Sequence, residues 1–357
     1  MKSPSTRVLA PALSLLLVAG LTACAAPGSD PGATDDPARP LVLVTYDSFA
    51  LGEGVLEAFT EQTGVPVEVH ALGDAGELVN KLVLTKDSPL GDVVFGIDNT
   101  FASRAVDAGV LVDYVSGELH AEAKRHLLPA GSGREQLTPI DTGDVCFNVD
   151  HRWFQDTGLA EPASLDDLLD ERYRDLIVLP APNSSSPGLA FLFATIAAKG
   201  EPGWQDYWRA LLDNGAKLTG GWSDAYYSDF SGPSSGGDRP LVLSYATSPP
   251  AEASDDDASA PTGVLLDTCF RQVEYAGIID GSGEVERSKQ LVDFLYGVTV
   301  QEDIPGSMYM FPVNPEAQLP PTWERFAETA ENPWSLAPDA IEANRDRWLS
   351  EWLELIS

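Results

Sequence analysis

From Pro40 to Asp98 the chain alternates strand-like and helix-like patterns, and few folds accept that order. "PLVLVTYDSF" (40–49) reads as a buried strand ending in polar residues. "GEGVLEAFTEQTG" (52–64) reads as a helix, because Val55, Leu56 and Phe59 fall on one face and Gly64 stops it. "VPVEVHAL" (65–72) alternates as a second strand, "AGELVNKLVLTKD" (75–87) is a second helix, and "GDVVFGID" (91–98) a third strand. Consecutive parallel strands need crossover helices, and these cover both faces of the sheet. The expected class is therefore α/β, with mostly parallel sheets flanked by helices. Open sheets of this kind take ligands beyond the carboxyl ends of their strands. That rule selects Tyr46, Asp47 and Ser48 after the first strand, and Asp98 and Asn99 after the third.

The second half continues the same logic. "LTPIDTGDVCFNVD" (137–150) reads as two strand-like runs around a glycine turn, and "SLDDLLDERYRDLIVLPAP" (164–182) as a helix capped by Ser164 and then a strand. "NSSSPGLAFLFATIAAKG" (183–200) is a polar loop opening into an apolar helix, and "PLVLSYATSPP" (240–250) a buried strand ending in small polar residues. "TCFRQVEYAGII" (268–279) reads as a long strand, and two amphipathic helices follow at 282–297 and 337–357.

The amino terminus gives an address. Residues 1–23 carry Lys2 and Arg7, then an apolar run, then small residues before Cys24, the pattern of a secretory signal too short to span a membrane. The ending "LTAC" resembles a bacterial lipobox, which makes Cys24 a lipidated first residue, and residues 24–40 read as a flexible Pro-, Gly- and Asp-rich tether. The expected location is the outer face of the cell membrane. Loss of the signal leaves 334 of 357 residues, enough for two lobes, and changes the net charge from −33 to −35 because two basic residues leave with it. Such acidity opposes binding to nucleic acid or to anionic lipid. The two remaining cysteines, Cys146 and Cys269, are expected to pair in an oxidising compartment; they lack the spacing of a zinc site, and no metal or cofactor is expected.

No nucleophile elbow, zinc-protease helix or phosphate loop is present, and the four histidines form no triad pattern. Binding is therefore favoured over catalysis. Six loops offer rings, hydroxyls and carboxylates: "TYDSF" (45–49), "GIDNT" (96–100), "NSSSPG" (183–188), "GGWSDAYY" (220–227), "SYATSP" (244–249) and "GSMYMFPVN" (306–314).

"TYDSFA", "GIDN", "SSPGL", "GWSDAY", "LVLSYATSP", "QVEYAG" and "IP…MFPVN", followed by "RDRWLSEWLEL", occur in this order and closely resemble the thiamine-binding components of bacterial ABC importers, over residues 41–355. The resemblance implies a two-lobed periplasmic-binding fold with hinge strands, lobe 1 covering 41–140 plus about 270–320 and lobe 2 covering 141–269 plus about 321–357. It implies a non-enzymatic, monomeric receptor that captures thiamine or its phosphates and passes the ligand to a membrane permease. Carried over position by position, it makes Tyr46 a first-lobe ring contact, Asp98 and Asn99 a polar clamp, and Ser185 and Ser186 a hydroxyl pair. Trp222, Tyr226 and Tyr245, with Thr247 and Ser248, become the second-lobe wall. Tyr309 stands where tryptophan occurs in the family. A permanently cationic thiazolium and a flat aminopyrimidine suit such rings.

Ferric-binding proteins of the same fold class grip iron with adjacent tyrosines, so Tyr226–Tyr227 is the alternative ligand set. A ferric site would usually add a His or Glu from the first lobe, which "YDSF" lacks. Other organic cations, such as polyamines, would also suit an aromatic wall. Thiamine-degrading relatives need a cleft cysteine, and Cys146 is better used in a pair with Cys269.

Overall fold

A computed structural model of the chain describes residues 39–254 and 256–357. The leader, Cys24 and the tether up to residue 38 lie outside them. The first segment is the expected one: β1 (Leu41–Thr45), α1 (Val55–Thr63), β2 (Val67–Ala71), α2 (Ala75–Leu84), β3 (Val93–Asp98) and α3 (Ala102–Ala108). Both β2 and β3 pair with β1 in parallel.

Next comes β4 (Thr138–Asp150), then α4 (His151–Thr157), β5 (Ile177–Pro180), α5 (Ser186–Lys199), α6 (Gly203–Asp213), β6 (Lys217–Thr219) and β7 (Leu241–Tyr245). The remainder is α7 (Pro249–Glu252), β8 (Thr262–Ile278), α8 (Val285–Tyr296), α9 (Val298–Met308), β9 (Phe311–Pro312), α10 (Pro321–Phe326) and α11 (Pro338–Leu355). The strand order is β2-β1-β3-β8-β4-β7-β5-β6, with β9 added to β4.

Two unusually long strands hold this sheet together. β4 has 13 residues and β8 has 17, against a typical strand of about five or six. They run antiparallel in the middle, with β3 joining β8 on one side and β7 joining β4 on the other. One parallel group, β2-β1-β3, therefore lies on one flank and a second, β7-β5-β6, on the other.

Two sequence expectations are corrected here. Residues 137–150 form one continuous strand, not two around a turn. Gly143 sits inside it, opposite Gln272, because a Cβ there would come within 2.7 Å of the Met310 sulfur. The glycine serves close approach rather than a reversal. Residues 164–173 form two short 3-10 turns, Asp167–Leu169 and Glu171–Tyr173, in place of a capped helix, although the Ser164 hydroxyl does accept from the Asp167 amide (3.2 Å).

The core of the second flank is aromatic. Phe191 of α5 meets Phe147 edge-on (5.1 Å) and Trp208 of α6 (5.5 Å), and Trp208 meets Trp352 of α11 (5.6 Å). The carboxyl-terminal helix is thus clasped onto the β7-β5-β6 flank. Cys146 of β4 and Cys269 of β8 are joined by a disulfide, both fully buried. No described helix is long and apolar enough to cross a membrane.

Candidate functional site

A crevice opens where the carboxyl ends of β1 and β7 face each other across β8. It holds about 490 Å³ of empty space, counting the solvent in its open mouth. One wall is a ring cluster. The Trp222 indole stacks on Tyr226 (5.0 Å, 18° between planes) and meets Tyr227 edge-on (5.3 Å, 80°). Tyr309, at the end of α9, stands edge-on to Trp222 at 6.2 Å, and Tyr245 lies tilted at 6.4 Å.

This packing follows from local chemistry. Residues 224–229 form a π-helical turn, which places Tyr226 and Tyr227 on different sides of the chain with their rings perpendicular (87°). The indole Nε1–H donates to the Ser244 hydroxyl (2.9 Å), and Ser244 exchanges a hydrogen bond with Ser248 (2.8 Å). The small hydroxyl residues of "SYATS" therefore fix the tryptophan from behind.

The opposite wall and floor are acidic and phenolic. Tyr46 donates from its hydroxyl to Glu274 Oε2 (2.9 Å), and Gln272 Nε2 donates to Glu274 Oε1 (2.9 Å). Asp74 caps α2 by accepting from the Ala75 amide (2.6 Å) and also accepts from the Trp222 amide (2.9 Å). That last bond crosses the crevice. So does a bond from the Gly76 amide to the Ser184 carbonyl (3.0 Å). A Cβ on Gly76 would sit 2.7 Å from that carbonyl oxygen, so only glycine allows the two sides to approach this closely. Tyr227 and Tyr309 complete the rim, hydroxyl to hydroxyl, at 3.1 Å.

Burial controls the charge state throughout. It pushes the Asp74 carboxyl up to about 6, partly offset by the Trp222 and Ala75 amides, and pushes Glu274 up to about 8. Burial likewise raises Tyr46, Tyr226, Tyr227 and Tyr245, so all four are neutral phenols at neutral pH. Among the described residues lining the crevice there is no Lys, Arg or His.

Of the residues selected from sequence, Tyr46, Ser48, Ser186, Trp222, Tyr245 and Tyr309 line this space together. The others stand behind it. Tyr226 is 1% exposed and donates to Glu252 Oε1 (2.7 Å), backing the indole, while its neighbour Tyr227 faces the crevice. Asp98 accepts from the Thr100 and Phe101 amides (2.7 and 3.0 Å) at the start of α3. Asn99 is committed to the β8 backbone through the Arg271 carbonyl and the Val273 amide (3.1 and 2.9 Å). In this structure Asp98 thus holds the turn ahead of α3 through one carboxylate oxygen, and Asn99 pairs with the β8 backbone. Ser185 is fully buried with its hydroxyl towards Asp74, Thr247 donates to the Tyr309 carbonyl at 2.5 Å, and Ser248 supports Ser244.

Sequence reading missed Asp74, Tyr227 and Glu274 as wall-forming groups. Glu274 lay in plain view in "QVEYAG", a buried carboxylate between Val273 and Tyr275; Asp74 carried only the signal of an N-cap.

The family model for bacterial extracellular solute-binding proteins matches residues 88–328. The chain belongs to this family. Among similar proteins, this solute-binding protein is 29% identical to the thiamine-binding periplasmic protein of Salmonella typhimurium, over 94% of this chain and 97% of that one. It is also 29% identical to the thiamine-binding periplasmic protein of Escherichia coli, over 90% and 94%. Among solved structures, a periplasmic thiamin binding protein superimposes with a TM-score of 0.75 at 27% identity, covering 92% of this chain and all of that one. A ferric binding protein from Campylobacter jejuni superimposes with a TM-score of 0.68 at 15% identity, a likeness of fold alone. The solute-binding protein thus shares the two-lobed, non-enzymatic architecture of its family, with the ring-lined crevice between its strand groups.

Proposed function

We propose that this solute-binding protein captures thiamine, or a thiamine phosphate, in the crevice and delivers it to the permease of an ABC importer. The observation that carries the reading is the pairing of a neutral aromatic wall with a buried acidic floor and, among the described residues, no basic lining residue. A flat heterocycle that is permanently cationic satisfies both sides. Each good cation–ring contact contributes roughly 0.5–2 kcal/mol, and the Glu274 and Asp74 carboxyl groups supply hydrogen-bond acceptors and countercharge. The Ser186–Pro187 start of α5 borders the crevice and suits the hydroxyethyl arm or a phosphate on it.

In this reading the ligand contacts are Tyr46, Asp74, Ser186, Trp222, Tyr227, Tyr245, Glu274 and Tyr309. Tyr226, Ser185, Thr247, Ser248, Asp98 and Asn99 position them. The lobes run over 41–140 plus about 270–320, and 141–269 plus about 321–357, with β4 and β8 as the crossing strands. The signal 1–23 exports a monomer that a lipid on Cys24 holds at the outer face of the membrane.

The ferric alternative asks Tyr226 and Tyr227 to hold one ion as phenolates. Tyr226 instead points at Glu252, and burial makes both phenols harder to ionise. Calorimetric titration decides between the two. Thiamine is expected to bind with a dissociation constant below about 1 µM, worth more than about 8 kcal/mol. Heat with ferric citrate and none with thiamine, its monophosphate or its diphosphate would overturn the reading.

A further inference from the structure

The register of the two crossing strands sets Asp141 of β4 directly opposite Glu274 of β8. Side chains so placed share a face about 5 Å apart. Asp141 is fully buried and Glu274 is 3% exposed. Glu274 receives the Tyr46 and Gln272 donors, whereas neither oxygen of Asp141 receives a hydrogen bond from any donor group. The polar groups near Asp141 are the Glu274 carboxyl, in hydrogen-bonding reach, and the Tyr46 hydroxyl, which is itself committed to Glu274. Two ionised carboxylates are acceptors only, so a hydrogen bond between them exists only when one carries the proton.

The surroundings reinforce that requirement. Around Glu274 stand Asp98 from β3, Asp74 from α2, Tyr46 from β1 and Tyr245 from β7. Tyr309 closes the far side of the crevice. The basic groups of neighbouring elements are directed elsewhere: Arg271 forms two bonds to Asp144 (2.8 and 2.9 Å), and Arg345 is paired with Asp346 and acts electrostatically on Asp98. Two unpaired negative charges at this depth would be severely penalised.

We propose that Asp141 and Glu274 hold a shared proton while the crevice is empty and release one proton to solvent when an organic cation docks beside Glu274. The step balances. A carboxyl O–H bond breaks, its electron pair stays on the carboxylate, the proton goes to buffer, and the incoming positive charge takes its place. The charge inside the crevice is unchanged, so a cation is accepted where a neutral heterocycle gains no countercharge. This rests on the thiamine reading and deepens it, making affinity dependent on pH. Burial raises Asp141 well above the usual carboxylate range and Glu274 to about 8, while a docked cation lowers the pair. Affinity therefore rises with pH, by up to about tenfold per unit, until the empty protein has lost the shared proton, and levels off above that point.

The test is calorimetric titration with thiamine at pH 7 in buffers of different ionisation enthalpy. The expected result is an observed heat that shifts linearly with that enthalpy, with a slope of about one released proton per ligand. The neutral aminopyrimidine alcohol that forms half of thiamine is the control probe, with a slope near zero. Glu274→Gln is expected to remove the slope and weaken thiamine at least about tenfold, as the loss of a buried countercharge does. Asp141→Asn is expected to remove the slope while Glu274 remains. Normal thiamine binding with no buffer dependence overturns the proton exchange and leaves the thiamine reading intact. Absence of thiamine binding overturns that reading, and infrared spectra of the empty protein then decide the pair. A protonated-carboxyl C=O band at neutral pH, lost in either variant, supports the shared proton; no such band overturns it.

Discussion

Trp222→Ala is expected to weaken thiamine binding by about 2–3 kcal/mol, or about 30- to 150-fold, the scale of a buried aromatic anchor. Three observations concentrate the effect at this residue. The indole touches Tyr226, Tyr227, Tyr245 and Tyr309, so its removal loosens every ring of the wall. Its Nε1–H is committed to Ser244, which fixes the ring plane before any ligand arrives. Its own amide donates to Asp74 across the crevice, so the residue that forms the wall also helps the two sides meet. Trp222→Phe keeps a ring and loses only the Ser244 bond, and a loss of less than about tenfold is expected. Dissociation constants for the two variants, measured beside their thermal unfolding, check the claim. An unchanged affinity in Trp222→Ala would make the indole a core residue.

Replacing both Cys146 and Cys269 by serine is expected to cost about 4–5 kcal/mol of stability, read as a fall in melting temperature of about 10 °C. The bond closes a segment of 123 residues, so its loss frees a large denatured ensemble. It also sits where the β4–β8 register shifts, between Val145 and Phe147, so it staples the crossing strands at their weakest pairing. A second small cluster of buried side chains, including Ala246 and Ala330, packs around it. Scanning calorimetry of the oxidised protein and the double variant gives the difference directly, and equal melting temperatures would contradict it.

Much of this arrangement was legible from local pattern, and the rest failed for identifiable reasons. The β1-α1-β2-α2-β3 segment announces itself because its helices keep the helical period, Gly54 and Gly64 bound α1, and Asp74 caps the start of α2. Helix α6 (Gly203–Asp213) was legible yet missed: its buried face, Trp204, Tyr207, Trp208 and Leu211, keeps the helical spacing i, i+3, i+4, i+7. The continuity of β4 was hidden by Gly143, whose purpose appears only when Met310 arrives from a distant loop. At the site, ring content was readable, but ring direction was not. Tyr226 and Tyr227 are adjacent in sequence, and the π-helical turn alone decides which faces the crevice. Asp98 and Asn99 were attractive as strand-end polar groups, yet one Asp98 oxygen holds the turn ahead of α3 and the Asn99 amide pairs with the β8 backbone. Asp74 and Glu274 matter because of what the opposite flank and the facing strand bring to them, and no short motif carries that information.

The most direct test of the central claim is a crystal structure of the protein grown with thiamine. The account predicts the vitamin between the Trp222–Tyr227–Tyr309 wall and the Tyr46–Glu274 floor, with its cationic ring beside Glu274. Thiamine lodged elsewhere, such as the hinge pocket bordered by Arg125, His126 and Arg271, with the aromatic crevice empty, would contradict it.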